Sequence, residues 1–344
     1  MTAARVMLGD GFVTSEQGLG GMVFSSVYGQ ADEQESLHTI HAAIDAGITL
    51  LDTADIYGDG HNETLFGKIL ATRRDEVQIA TKFGIVPNPG PGTPKAQGDP
   101  AYARRCLEAS LLRLGTDVVD LYYYHRVDPR VPIEETTGVL AELVQEGKIR
   151  HIGLSEVTAG ELERAAAVHP IAAVQSEWSV LSRDVEERLL PAAAALGTGF
   201  VAYSPLGRGF LTGAVEDAGD LAGSDLRRRF PRFGPAELEE NAALRAVVSA
   251  TAAAEGLTPA QLVLAWLYDS GRRLGVATVP IPGTRRAGRM AENLSAAALE
   301  LSPAALEALN GLSSRVAGER AGDLLFISRG RELLEPNRLA PKEA

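Results

Sequence analysis

Residues 133–156 read IEETTGVLAELVQEGKIRHIGLSE. An apolar-periodic helix is predicted over Ile133–Glu146 and stops at Gly147, a usual residue after a helix end. A short strand candidate, Ile149–Leu154, apolar apart from Arg150 and His151, follows and ends in polar Ser155, and most of the other strand candidates are short apolar runs. An apolar run without alternation is what a strand buried on both faces of a parallel sheet looks like. Helix, glycine, buried strand, polar end: this is one unit of a strand–helix repeat.

The unit recurs in both directions. Upstream, strands are predicted at Gly18–Met22, Ile48–Thr53, Val77–Lys82 and Val118–Tyr124; downstream at Ala172–Gln175, Gly199–Tyr203 and Val276–Ile281. Helices are predicted at Asp32–Ala46, Asn62–Leu70, Pro100–Leu114, Thr158–Val168 and Asp184–Leu196, several of them stopping at a glycine. Eight strands alternating with helices argue for an α/β fold of the closed kind, a (β/α)8 TIM barrel. A hairpin around Gly9-Asp10-Gly11 precedes it. Leu206–Pro235 makes a long loop after strand seven, and two extra helices, Ala236–Glu255 and Thr258–Ser270, precede strand eight. A loop of that length in a compact domain is usually functional. The expected organisation is a single domain over residues 1–344, with a core at about 9–312 and a tail at 313–344 that has no assigned structure.

Composition narrows the function. The 344 residues are 45% hydrophobic and 23% charged, which excludes a disordered chain. Against a net charge of -12, duplex binding would need a clustered basic footprint, so no nucleic-acid partner is expected. The single cysteine, Cys106, cannot form an internal disulfide, and no Cys/His cluster has metal-ligand spacing. The N-terminus carries no signal peptide pattern. The uncharged stretch Leu189–Gly207 is interrupted by Pro191, Gly197, Gly199 and Pro205, so it reads as helix end, turn and strand and not as a membrane span. A cytoplasmic protein without membrane association is expected. The oligomeric state is left open.

Chemistry in such barrels gathers at the C-terminal strand ends. Strand two ends in Asp52, strand three in Lys82, strand four in His125, strand five in Ser155, strand six in Gln175 and strand seven in Tyr203-Ser204; strand eight runs into Pro282-Gly283-Thr284. Three ionisable groups on adjacent strands facing one mouth persist where pKa values are tuned for a task. Tyr57 lies in the loop above Asp52. An ammonium beside a phenol lowers its pKa. Lys82 is the expected ammonium, held by Asp52, and His125 is the expected donor to a substrate oxygen. Together they form a proton-donor site aimed at a carbonyl.

The chain resembles the aldo-keto reductases, and more narrowly the bacterial and plant branch with pyridoxal- and aldehyde-reducing members. The motifs that carry the resemblance are GITLLDTADIYGDGHNETLFGKIL, VQIATKFG, VDLYYYHRVD, GKIRHIGLSE, VQSEWSVLSRD, VAYSPLGRGFLTG and VPIPGTRRAGRMAENLSA. The resemblance implies a catalytic tetrad of Asp52, Tyr57, Lys82 and His125, with Tyr57 as acid. It implies a small-molecule carbonyl substrate and an NADPH cofactor lying across the barrel mouth, although no GxGxxG is present. Ser155 and Gln175 then hold the carboxamide, Tyr203 stacks on the nicotinamide, and Ser204, Pro205, Leu206 and Gly209 line the pyrophosphate. Gly21, Met22 and Asp52 complete that end. The family often has Asn after the strand-five Ser; here Glu156 stands there, so the carboxamide rests on Ser155 and Gln175 alone.

The eighth-strand motif argues for NADPH independently. Arg285, Arg286 and Arg289 fall in the first turns of a helix expected to begin after Gly283-Thr284. Cations there are disfavoured by the macrodipole, and a phosphate compensates them. By resemblance Thr284, Arg285 and Arg289 hold the 2′-phosphate, with Glu292 and Asn293 at the adenine. Tyr28 and Trp178 follow barrel strands and either line the substrate pocket or pack. Arg227–Arg229 and Arg232 either fold over the pyrophosphate or are solvated. The expected activity is reduction of aldehydes and ketones. The alternative is a cofactor-binding regulatory subunit of the same fold with little turnover.

Overall fold

The computed structural model describes residues 2–90 and 93–334. All eight predicted barrel strands are present: β1 Leu19–Gly20, β2 Leu50–Asp52, β3 Gln78–Phe83, β4 Val119–Tyr124, β5 Ile149–Ser155, β6 Ala173–Glu177, β7 Gly199–Tyr203 and β8 Thr278–Pro280. They form one eight-stranded parallel sheet in sequence order. The two edges meet where Gly18 N donates to Pro280 O at 3.0 Å, so the sheet curls into the (β/α)8 arrangement.

Helices α1 Glu33–Asp45, α2 His61–Arg73, α3 Pro100–Leu114, α4 Ile133–Gln145, α5 Ala159–Ala166 and α6 Leu189–Leu196 follow the strands. The ends of α3 and α6 are set by Gly115 and Gly197, at φ 63° and 66°, a conformation that costs other residues energy. The predicted helix Asp184–Leu196 is broken. A one-turn 3-10 helix covers Asp184–Glu186, and α6 starts at Leu189. Pro191 explains the break, because a proline is accepted in a first turn but not inside a continuous helix. Then come α7 Pro235–Glu255, α8 Pro259–Leu274, α9 Ala287–Ser295, α10 Pro303–Asn310 and α11 Ser328–Leu334. No single helix among the described residues is long and apolar enough to cross a membrane.

Most of the core lies between the sheet and the helices. A smaller core fills the barrel itself with Leu50, Ala80, Leu121, Tyr123, Val201 and Val279. The N-terminal hairpin, Arg5–Met7 paired with Val13–Ser15, adds Leu8 and Phe12 to that inner core. Gly9 N donates to Ala172 O at 2.9 Å, and a Cβ on Gly9 would lie 2.6 Å from Ile171 O. Only glycine permits so close a seat. The hairpin thus plugs the N-terminal end of the barrel and leaves the opposite mouth for chemistry.

The long loop after β7 is tied down rather than structureless. It folds into short 3-10 turns at Gly207–Gly209, Ala218–Asp220, Leu226–Arg229 and Pro231–Phe233. Arg227 pairs with Asp225 at 2.7 Å, and Arg228 donates to the carbonyls of Ala218, Leu221 and Ala222. Arg232 is buried and donates to Ser182 Oγ at 2.8 Å. The tail also folds back on the barrel as far as Leu334; residues 335–344 lie outside the described residues.

Candidate active site

β2, β3 and β4 end side by side, with Ala80 facing Asp52 and Lys82 facing Tyr123 in register. Asp52, Lys82 and His125 therefore converge at one mouth. Lys82 is fully buried beneath it. Its ammonium donates to Asp52 Oδ1 at 2.5 Å and to Thr53 O at 2.8 Å. Asp52 Oδ2 accepts from Gln175 Nε2 at 2.8 Å, so a third strand holds the pair in place. Burial pulls the Lys82 pKa down and Asp52 pulls it back up.

Tyr57 sits on the turn above the pair, its backbone N–H bonded to Ala54 O at 3.1 Å. Lys82 Nζ lies 5.3 Å from the centre of its ring. His125 meets that ring edge-on, centroids 6.0 Å apart. Burial raises the Tyr57 phenol well above its ordinary pKa, and Asp52 adds to the effect. The cations that offset this most are Arg126 and Arg208. Lys82, the neighbour singled out by sequence, is instead matched against Asp52. The His125 imidazole is held well below its ordinary pKa by burial, then by Arg126 and Lys82. It is neutral at pH 7, with one N–H donor and one acceptor. Its Nδ1 is buried without a hydrogen-bond partner, and buried polar atoms in that state call for a ligand or a function.

A cleft of about 1460 Å³ opens above these residues. It is lined by Met22, Tyr28, Asp52, Tyr57, His125, Ser155, Gln175 and Tyr203, by Ser204, Pro205, Leu206 and Gly209, and by Gly283, Thr284, Arg285, Arg289, Glu292 and Asn293. Two predicted residues lie elsewhere. Trp178 is fully buried between sheet and helices, its Nε1 donating to Glu186 Oε1 at 2.8 Å and its ring edge-on to Phe200. It packs, because the chain turns outward one residue past the end of β6. Gly21 is packed against α2: a Cβ there would meet the Phe66 ring at 2.5 Å, and its carbonyl accepts from Asn62 Nδ2 at 2.9 Å. Its glycine serves packing, not the cleft.

The helix after β8 begins later than expected. Arg286 is still extended and α9 starts at Ala287. Arg285 turns back to donate to the carbonyls of Tyr28, Gly29 and Gln30. Arg286 and Arg289 are exposed at the α9 N-terminus and lie on the cleft.

Glu156 and Arg320 make a second buried cluster. Glu156 stands just past β5 at φ 52°, a left-handed conformation unusual for a non-glycine residue. Its carboxylate accepts from Arg320 Nη1 and Nη2 at 2.9 and 3.0 Å, from Ser328 N and Oγ at 3.0 and 2.9 Å, and from the Tyr203 hydroxyl at 2.8 Å. The C-terminal segment is thereby tied to the tyrosine at the end of β7. Sequence reading missed Arg320. The available signal was Glu156 itself, since an acid at a buried strand end requires a cation.

Residues 17–314 match the family model described as the aldo/keto reductase family. The chain belongs to the aldo/keto reductase family. Similar solved structures include the glycerol dehydrogenase from Gluconobacter oxydans, at 27% identity and a TM-score of 0.79, covering 93% of this chain and 98% of that one. A thermostable aldo-keto reductase solved with the inhibitor epalrestat is 30% identical with a TM-score of 0.70, covering 90% of this chain and 99% of that one. This aldo/keto reductase is thus an oxidoreductase of the carbonyl/alcohol type, from a family that uses a nicotinamide cofactor.

Proposed function

We propose that the chain reduces aldehydes and ketones with NADPH, and that Tyr57 is the general acid. The observation that carries this is the assembly of Tyr57 and a neutral His125, its Nδ1 unpartnered, over the buried Lys82–Asp52 pair. The reduced nicotinamide, when bound, supplies the hydride. Tyr57 holds the proton that the carbonyl oxygen takes up. His125 donates a hydrogen bond that orients that oxygen, and its lack of charge keeps the site from trapping an alkoxide. Lys82 and Asp52 fix the site's electrostatics from below. The Tyr203 ring offers a flat face at low entropy cost, fixed at its hydroxyl by Glu156. Ser155 and Gln175 hold the carboxamide, Gln175 with its oxygen because its nitrogen is on Asp52.

The cleft fits a phosphorylated dinucleotide along its length. Ser204, Gly207, Arg208 and Gly209 all take left-handed backbone conformations, the kind of turn that gathers N–H groups around an anion. At the far end, Arg286 and Arg289 make no ion pair among the described residues and face the cleft at a helix N-terminus. We assign Arg289 and Thr284 to the 2′-phosphate, and Glu292 and Asn293 to the adenine. Arg285, already on three backbone carbonyls, shapes the loop. The complete tetrad favours turnover over a regulatory role.

The test is NADPH consumption over a panel of aldehydes and ketones, with wild type and Tyr57→Phe. Loss of the acid lowers kcat by about 10²–10⁴-fold while NADPH still binds in titration calorimetry. A Tyr57→Phe enzyme near the wild-type rate overturns the assignment.

A further inference from the structure

Arg126 directly follows His125 and lines the cleft beside the tetrad. Its Nη1 donates to His125 O at 2.6 Å and to Ser155 Oγ at 3.2 Å. The opposite edge of the guanidinium is unengaged: Nε is buried without a partner, and Nη2 makes no hydrogen bond among the described residues. No described carboxylate makes an ion pair with it. The other cations at this end of the cleft are answered. Lys82 has Asp52 at 2.5 Å, Arg208 has Glu177 at 3.3 Å, and Arg320 has Glu156 and Asp184 at 2.9 Å each. Glu156 feels the Arg126 charge, but its oxygens are taken by Arg320, Ser328 and Tyr203.

The guanidinium lies 5.6 Å from the centre of the Phe326 ring, which offsets part of its charge but supplies no anion; a cation without one in a partly dry site is costly. The phosphate-facing arginines, Arg286 and Arg289, stand at the far end of the cleft, so the dinucleotide does not explain Arg126. Of its free edge, Nε is buried, so Nη2 is the donor left to a ligand, enough for one charge-assisted hydrogen bond to a carboxylate. We propose that Arg126 is a specificity-determining residue that binds a carboxylate carried by the carbonyl substrate, so that oxo acids are preferred over neutral aldehydes and ketones. This rests on the reductase reading above.

The experiment compares 4-carboxybenzaldehyde with its methyl ester at saturating NADPH, in wild type, Arg126→Met and Arg126→Lys. Wild type is expected to favour the acid by about tenfold or more in kcat/KM, mostly through KM. A charge-assisted hydrogen bond of about 1.5–3 kcal/mol corresponds to roughly ten- to hundredfold, and the acid-to-ester ratio should fall by that much in Arg126→Met. Arg126→Lys should restore part of it. The ratio cancels any general effect of Arg126 on the acid Tyr57. As a readout without turnover, 4-(hydroxymethyl)benzoate should bind the NADPH-loaded wild type in titration calorimetry and lose that affinity in Arg126→Met. If Arg126→Met does not fold, Arg126→Gln carries the same comparison. A wild-type ratio near one, or a ratio that Arg126→Met leaves unchanged, overturns the proposal while the reductase reading stands. If neither compound nor any other carbonyl is reduced, both fall together.

Discussion

Replacing Arg320 with Met keeps much of the side chain's bulk and removes its charge. Glu156 would then stand fully buried with hydrogen bonds from Ser328 and Tyr203 but without its ion-pair partner. The two side chains are 2% and 0% exposed, so solvent screens the pair very little. Removing one member of a pair so deeply buried costs about 3–5 kcal/mol. Asp184, also on Arg320, is 19% exposed and can be rehydrated, so it adds little. The pH dependence gives the stricter test. Burial by itself raises the Glu156 carboxyl; Arg320, then Arg126 and the hydrogen bonds, more than reverse this and hold it well below the usual carboxylate range. A carboxyl depressed in the folded state contributes stability above its unfolded pKa, about 4.3, and loses it as pH falls through the folded value. In wild type the full contribution is therefore present at neutral pH. In Arg320→Met, burial prevails, the folded pKa rises above the unfolded one, and the variant recovers stability as pH falls. The gap between the two proteins should be widest near pH 7–8 and narrower toward about pH 5. Urea unfolding followed by far-UV circular dichroism at both pH values, with comparable m-values, measures it. A loss below about 1 kcal/mol, or one that does not change with pH, refutes the account of the buried pair.

Arg289→Ala should weaken NADPH binding by roughly one to two decades and leave NADH nearly unchanged, because only the former carries a 2′-phosphate. Calorimetric titration of both cofactors checks this; Trp178 and Trp266 are both fully buried, so tryptophan quenching is the poorer probe. Equal weakening of both would make Arg289 a residue of the fold. Lys82→Met should abolish most activity, since Asp52 is left buried without its ammonium. Asp52→Asn should cost less in kcat but shift the pH–rate profile, and a wild-type-like profile for either variant counts against electrostatic tuning from below.

Local pattern was enough for the barrel. Most strands are short, largely apolar runs, those from β2 to β7 carry a polar residue or tyrosine at or just past the mouth end, and Asp52, Lys82 and His125 could be aligned from those ends because parallel register brings equivalent positions together. Single positions past a strand end were less legible. Tyr28 does face the cleft, its hydroxyl accepting from Arg208 Nη1 at 2.7 Å, whereas Trp178 turns into the helix layer. Trp178 directly follows β6, whereas Tyr28 comes eight residues after β1, past a 3-10 turn at Gly21–Ser25, and no periodicity records how either connection bends. Pro191 was visible in sequence, yet its effect on the helix at Asp184–Leu196 depends on whether it falls in a first turn. The Glu156–Arg320 pair joins residues 164 apart, beyond any window that local spacing can read.

That separation also orders events during synthesis. Chains fold from the N-terminal side as they emerge, at about 5–20 residues per second, so Arg320 follows Glu156 by on the order of 10–30 s. Until then β5 has its acid and not its counter-charge, and a barrel that closed on β8, complete at Pro280, before residue 320 emerged would enclose a bare carboxylate. A chain stalled or clipped before that point keeps a charged gap beside Tyr203, the kind of defect that leaves a protein open to proteases.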